Sequence, residues 1–276
     1  MLLVTGATGN IGRALLQELV ASGAGPLRAL TRDAGGSFPA GVETAAADLA
    51  DLAALRRALT GVRSMFLVSG LGADAEIIDT ARRAGVEHVV LVSSITVQTH
   101  PHPPPAAEKS AVEKELQASG MDWTILRPTQ FASNALLWAE AIRADRTVRA
   151  AYADVGLPTI HPADIAAVAR VALTEPGHRG RTYALTGPER ITPREQVAAI
   201  AAALHRDIEF TEISRAAARV ELLPFFGEAS VDAVLDVTGG DLNPELLRVR
   251  DAVARHTGSP ARTFHRWAQE NAAAFR

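Results

Sequence analysis

Residues 4–12 read VTGATGNIG, with Gly6, Gly9 and Gly12 three residues apart behind the apolar run Leu2-Leu3-Val4. Glycine gives up more conformational freedom on folding than any other residue, so three together mark a sharp turn or a close approach to something. A strand, a tight turn and a helix amino terminus together aim backbone N–H groups at an anion, typically a phosphate. An ordinary βα turn is the plain alternative. The turn here opens a βαβ unit, however, and that context points to a dinucleotide held by Gly6, Thr8, Gly9, Asn10, Ile11 and Gly12. Thr8 or Asn10 can cap the helix, and Gly12 permits close helix–strand packing.

The end of the second strand, LRALT, tells which dinucleotide. An NAD site usually carries Asp or Glu there for the ribose 2′-hydroxyl. Here Arg32 follows Thr31, with Asp33 beyond, and a guanidinium offers a charged fork to a 2′-phosphate. NADP(H) is therefore expected, the alternative being a solvated Arg32 paired with Asp33. Asp48 and Leu49, closing the third strand, would flank the adenine, or Asp48 could cap the next helix. Ser69 and Gly70 in the VSG stretch would run beside the phosphates and ribose.

Only two of the 28 basic residues are lysines, Lys109 and Lys114. At about 100° per residue, Val112 and Leu116 lie about 60° and 20° from Lys109 on a helix, and Lys114 about 140° away. Lys109 thus sits on the inward stripe, where desolvating a charge needs a reason. It could hold the nicotinamide ribose and lend positive potential to a forming alkoxide or enolate, or snorkel and pair with Glu113. The loop before it, THPHPPP, places His100 and His102 at the substrate rim, and His102 is the candidate proton shuttle. Ser93 and Ser94 close the fifth strand, where one could polarise a substrate or cap the strand. Thr129, Gln130, Phe131 and Asn134 would line the pocket near the nicotinamide. His161 and Asp164 read as a turn and a helix cap.

These residues need elements to hold them. Strands are expected at 2–5, 27–31, 42–49, 64–70, 88–94 and 122–128, alternating with helices. Unbroken apolar strands separated by helices imply a parallel sheet covered on both faces, and right-handed crossovers make it a doubly wound α/β fold. Residues 1–130, with 161–187 returning, would form the nucleotide-binding domain. Residues 131–160 and 188–276 would form a smaller substrate-binding part. In it, helices are expected at 131–143 and 192–206, a strand at 208–213, and a docking helix carrying Phe264, Trp267 and Ala268. Leu222, Leu223, Phe225, Phe226 and Trp138 could build an apolar wall suited to a flat, apolar substrate.

The 276 residues, 47% of them hydrophobic, can bury a large core. A net charge of -3 leaves no basic footprint for nucleic acid. Without cysteine there are no disulfides, thiolate chemistry or cysteine-ligated metals, and no metal centre is expected. A strand at the first residues leaves no room for a signal peptide, and no run approaches a membrane span. A cytoplasmic location, as a monomer or homodimer, is the expectation.

TGATGNIG, TRD, ADL, VLVSS and SGMDWTILRPTQF together resemble the atypical short-chain dehydrogenase/reductases, nearest the NmrA-like and NAD(P)H:quinone oxidoreductase-like group, with isoflavone reductases as cousins. The likeness covers roughly residues 1–190. It implies a Rossmann-type fold, NADP(H) and an NADPH-dependent reductase of carbonyl, enone or quinone-type molecules. Typical members of the wider family use a Tyr and a Lys four residues on, whereas a glycine lies four beyond both Tyr152 and Tyr183. The place of Lys109 before SGMDWT resembles the catalytic lysine of isoflavone-reductase-like proteins. The missing Tyr-Lys pair leaves a second reading open, a non-catalytic NADP(H) sensor of the NmrA type.

Overall fold

A computed structural model of the chain describes residues 1–32, 36–144 and 147–276. Strands β1 (Leu2–Val4), β2 (Leu27–Thr31), β3 (Val42–Ala46), β4 (Ser64–Val68), β5 (His88–Val92), β6 (Asp122–Pro128) and β8 (Arg181–Leu185) form one sheet. Its order is β3-β2-β1-β4-β5-β6-β8, and every pairing is parallel. The doubly wound α/β sheet expected from the sequence is therefore present. The order in which strands are added reverses between β1 and β4, and the crevice above that point is where such sheets take their ligands. Strands β7 (Val148–Ala150) and β9 (Phe210–Glu212) make a separate parallel pair.

Period-two alternation splits the apolar residues between two cores. Leu2, Val4, Phe66, Val90, Val92 and Leu126 pack under helices Asn10–Ala21 and Pro162–Thr174. Leu3, Met65, Leu67, Val89, Leu91 and Ile125 pack under helices Leu52–Ala58, Asp74–Arg83 and Pro104–Ala118. The first helix buries Ile11, Leu15, Leu16 and Leu19, at roughly 2 kcal/mol for each large aliphatic side chain. Ala252 and Val253, late in the chain, return to this first core.

Several boundaries differ from those expected. Strand β3 stops at Ala46 and β5 at Val92, although the Ala47 N–H still donates to the Thr31 carbonyl at 2.9 Å and the Ser93 N–H to the Leu126 carbonyl at 2.8 Å. Residues 131–143 divide into a 3-10 turn, Ala132–Trp138, and a short α-helix, Ala139–Arg143. The helix expected at 192–206 spans Pro193–Leu204 and carries a capping box: Thr192 Oγ1 accepts from the Glu195 N–H at 3.1 Å, and Glu195 accepts from the Thr192 N–H at 2.8 Å. Phe264, Trp267 and Ala268 are buried on helix Phe264–Glu270, which docks on that helix. His161 caps helix Pro162–Thr174 by accepting from the Ala163 N–H at 3.0 Å. Asp164 caps nothing; it is buried and receives the Arg262 backbone N–H at 2.7 Å and its guanidinium.

One buried histidine sets a pH limit on the fold. His88 is 3% exposed and lies 3.1 Å through Nε2 from Thr124 Oγ1, whose single proton goes to the His178 carbonyl at 2.9 Å. Nε2 must therefore be the donor. Burial, the first cause, holds the His88 pKa down to about 4. Below pH 6.5 the unfolded chain takes up a proton that the folded chain refuses, so stability falls as pH drops from 6.5 toward 4 and levels off beneath. The difference between 6.5 and about 4 corresponds to roughly 3 kcal/mol. Urea unfolding at pH 7 and pH 4.5 should show that loss in wild type and most of it abolished in His88→Gln; equal pH sensitivity in the two would contradict it.

Candidate active site

The glycine turn works as a backbone device. Gly6 stands at φ 58°, a conformation that side chains disfavour. A Cβ on Gly12 would lie 2.2 Å from the Gly6 carbonyl oxygen and 2.9 Å from the Ala7 Cα. Gly12 thus lets the helix press against its own leading turn, rather than against a strand. The Gly9 N–H donates to the Gly6 carbonyl at 2.9 Å. Gly9 is the N-cap residue, and among the described residues no side-chain cap accepts from the first-turn N–H groups. Neither Thr8 nor Asn10 caps the helix, which leaves its positive end open toward the crevice.

That crevice, a cavity of about 470 Å³, is lined by Gly6, Thr8, Gly9, Asn10, Ile11 and Gly12 on its floor. Arg32 borders it beyond β2, Asp48 and Leu49 beyond β3, and Gly70 and Phe131 complete the wall. Leu30, Thr31, Ala47, Val68 and Leu71 also line it. The pairing of Arg32 with Asp33 weighed from the sequence falls on a residue outside those described. Asp48 accepts from the Ala50 N–H at 2.9 Å, while Asp51 caps the next helix through the Ala53 and Ala54 N–H groups. The helix cap is therefore Asp51, and Asp48 stays on the crevice edge. An uncapped helix end, a turn that admits no Cβ and a guanidinium at the rim suit a phosphorylated dinucleotide.

Four expected site residues do not line this crevice: Ser69, Ser93, Lys109 and Thr129. Thr129 is buried, its hydroxyl donating to the Pro158 carbonyl at 2.5 Å. It ties the end of β6 to the segment at Pro158 and to Leu185 of β8. Ser69 Oγ donates to Asp74 at 2.8 Å, and the Gly70 N–H donates to the same oxygen at 2.9 Å. Sequence reasoning missed Asp74, a buried acid in the first turn of its helix that pins the Gly70 loop. The signal available was an acidic residue just after the SGLG turn.

Behind Gly70 these groups meet. Lys109 Nζ lies 3.9 Å from where a Gly70 Cβ would sit. Burial is the main influence on its pKa and lowers it, with Asp74 and Glu108 pulling the other way. Lys109 is half-buried and Lys114 exposed, as the helical spacing required. Glu113 does not serve Lys109, because Arg127 occupies it with an Nε contact at 3.0 Å and a second through Nη2. Ser93 Oγ and Asp74 Oδ1 are buried with no hydrogen-bond partner among the described residues. Ser94 is the strand-end cap, accepting from the Thr96 N–H at 3.2 Å.

The two loop histidines divide. His100 is buried, with Nδ1 2.9 Å from Thr99 Oγ1 and Nε2 2.8 Å from the Asp241 carbonyl, so it clamps the loop to the C-terminal region. His102 is exposed two residues before the Lys109 helix. Phe131 lines the crevice, as expected, and also packs on the first core. The apolar wall divides as well: Trp138, Leu222 and Phe226 line a second cavity, while Phe225 is 64% exposed beside a groove. No helix of the described residues is long and apolar enough to cross a membrane.

Residues 6–176 match a family described as NAD(P)H-binding. Over its full length the chain is 39% identical to a (4-alkanoyl-5-oxo-2,5-dihydrofuran-3-yl)methyl phosphate reductase of Streptomyces griseus, covering 99% of that protein. It is 34% identical, again over all of this chain and 99% of the relative, to the NAD(P)H azoreductase of Xenophilus azovorans. The crystal structure of an Escherichia coli NADPH-dependent quinone oxidoreductase complexed with NADPH superposes with a TM-score of 0.79 at 27% identity, covering 98% of this chain and 99% of that one. The chain belongs to the NAD(P)H-binding family, among its NAD(P)H-dependent reductases.

Proposed function

We propose that this protein is a cytoplasmic NADPH-dependent reductase, monomeric or homodimeric, whose substrate is an apolar, flat carbonyl, enone or quinone-type molecule. The observation that carries this reading is the half-buried Lys109 ammonium directly behind Gly70 of the crevice. The chemistry NADPH supplies when bound is hydride donation. Around it, the open N–H groups after Gly9 hold the diphosphate and Arg32 holds the 2′-phosphate. Phe131 gives the acceptor an apolar face. Lys109 stabilises negative charge developing on the acceptor oxygen, and Asp74 fixes the loop that meets it. His102, the exposed one of the two loop histidines, passes in the proton that completes the reduction. The full-length relatives bear the names of reductases, which favours catalysis over the sensor.

The test is NADPH oxidation by purified protein with a panel of quinones and conjugated lactones. Turnover is expected with at least one class; a protein that binds NADPH tightly and reduces none is a sensor. Arg32→Ala should raise the NADPH dissociation constant about ten- to hundredfold, the worth of a charged hydrogen bond. Its NADH dissociation constant should move less than about threefold. Equal losses in calorimetric titrations would remove the 2′-phosphate role.

A further inference from the structure

The crevice is not the only cavity, and the others run away from it in sequence. Asn10 and Phe131 line both the crevice and a groove bounded by Ala132–Trp138 and Phe225. Asn134, Leu137 and Phe226 line both that groove and an inner cavity of about 160 Å³. The inner walls are mostly apolar, with Ala150, Leu157, Ile191, Ala218, Leu222 and Leu235 among them and the neutral Gln130, Gln196 and Thr238 beside them. Its charged side chains among the described residues, Arg149 and Glu221, neutralise each other at 3.0 Å. A space with paired charges and aliphatic walls rejects an ionic guest and accepts a neutral one.

We infer that this inner cavity takes an aliphatic tail of about six carbons, carried by the same acceptor whose flat head is reduced beside Phe131. The inference rests on the reductase reading for the head but on the cavity alone for the tail. Its size sets the length, since an apolar cavity of roughly 150 Å³ holds one benzene-sized guest. The tail leaves the head past Asn134 and Leu137, then turns in beside Phe226 and Leu222. Helix Arg215–Phe226 therefore measures the chain, and the substrate class is an alkyl- or acyl-substituted quinone, enone or lactone rather than a bare ring.

The experiment uses two homologous series with tails from methyl to decyl. Calorimetry on the whole protein without nucleotide measures binding of 2-n-alkyl-hydroquinones, and NADPH oxidation measures kcat/KM for the matching 2-n-alkyl-1,4-benzoquinones. Each methylene should tighten calorimetric binding about fourfold, the worth of one buried CH₂, up to about six carbons, with a plateau beyond. Ala218→Phe, which fills the cavity, should flatten that slope. Leu222→Ala, which enlarges it, should move the plateau to longer tails and serves if the first variant does not fold. Calorimetric affinity independent of tail length in wild type overturns the proposal, as does a slope unchanged in both folded variants. A normal calorimetric slope without quinone turnover overturns the reductase reading and leaves the tail site standing.

Discussion

Gly12→Ala is expected to raise the NADPH dissociation constant at least about a hundredfold, and to cost stability as well. The added methyl would sit 2.2 Å from the Gly6 carbonyl oxygen and 2.7 Å from its carbonyl carbon. Both are backbone atoms that cannot rotate aside, so the turn must open or the helix must retreat. Either movement displaces the first-turn N–H groups that meet the diphosphate. Overpacking of this kind costs roughly 1–3 kcal/mol, which in a chain this long lowers the thermal midpoint by several degrees. Gly9→Ala is the control. Its Cβ would stand 3.2 Å from the Gly6 oxygen, and Gly9 has an ordinary φ of -79°. That variant should melt close to wild type, and the affinity it loses reports its methyl against the diphosphate rather than a collapsed turn. Paired calorimetry and thermal melts decide it: a Gly12→Ala protein that melts and binds like Gly9→Ala would show that the turn tolerates a side chain.

The second large effect belongs to Lys109. Lys109→Met keeps the length and apolar stem of the side chain while deleting its charge, so the helix should stay folded. Loss of one group stabilising the transition-state oxyanion typically costs about 100- to 1000-fold in kcat, and that range is expected at pH 7. Burial lowers the Lys109 pKa. Its charged form is therefore lost at lower pH than an ordinary lysine loses its own. Wild-type kcat should show a decline on the alkaline side with a midpoint below that of a free lysine, and Lys109→Met should lack that lysine-dependent decline. Lys109→Arg should retain its charge through the same range and shift the alkaline limb upward. A methionine variant with wild-type kcat, or with an unchanged alkaline limb, would remove Lys109 from the chemistry.

Much of this was legible in the chain itself. Backbone-driven features are local, and the glycine spacing, the apolar alternation of the strands, the Thr192–Glu195 capping box and the inward stripe of Lys109 depend on neighbours within one or two turns. The order of elements then constrains the sheet, because parallel strands joined by right-handed crossovers leave few arrangements. The crevice follows from that order, which is why Arg32 and Asp48, at the ends of neighbouring strands, could be placed on one rim.

What tertiary structure alone decided is which partner each polar side chain takes. Ser69 and Thr129 lie beside the expected site in sequence, yet Asp74 and the Pro158 carbonyl claim their hydroxyls. Glu113 lies one turn from Lys109, but Arg127 arrives from β6 and occupies it. His100 and His102 look interchangeable until the Asp241 carbonyl takes one of them. The inner cavity needs residues from 130 to 238 folded around one space. A helical or strand period fixes the face a side chain presents; the donor, acceptor or void that meets it comes from chain tens of residues away, where no local pattern reaches.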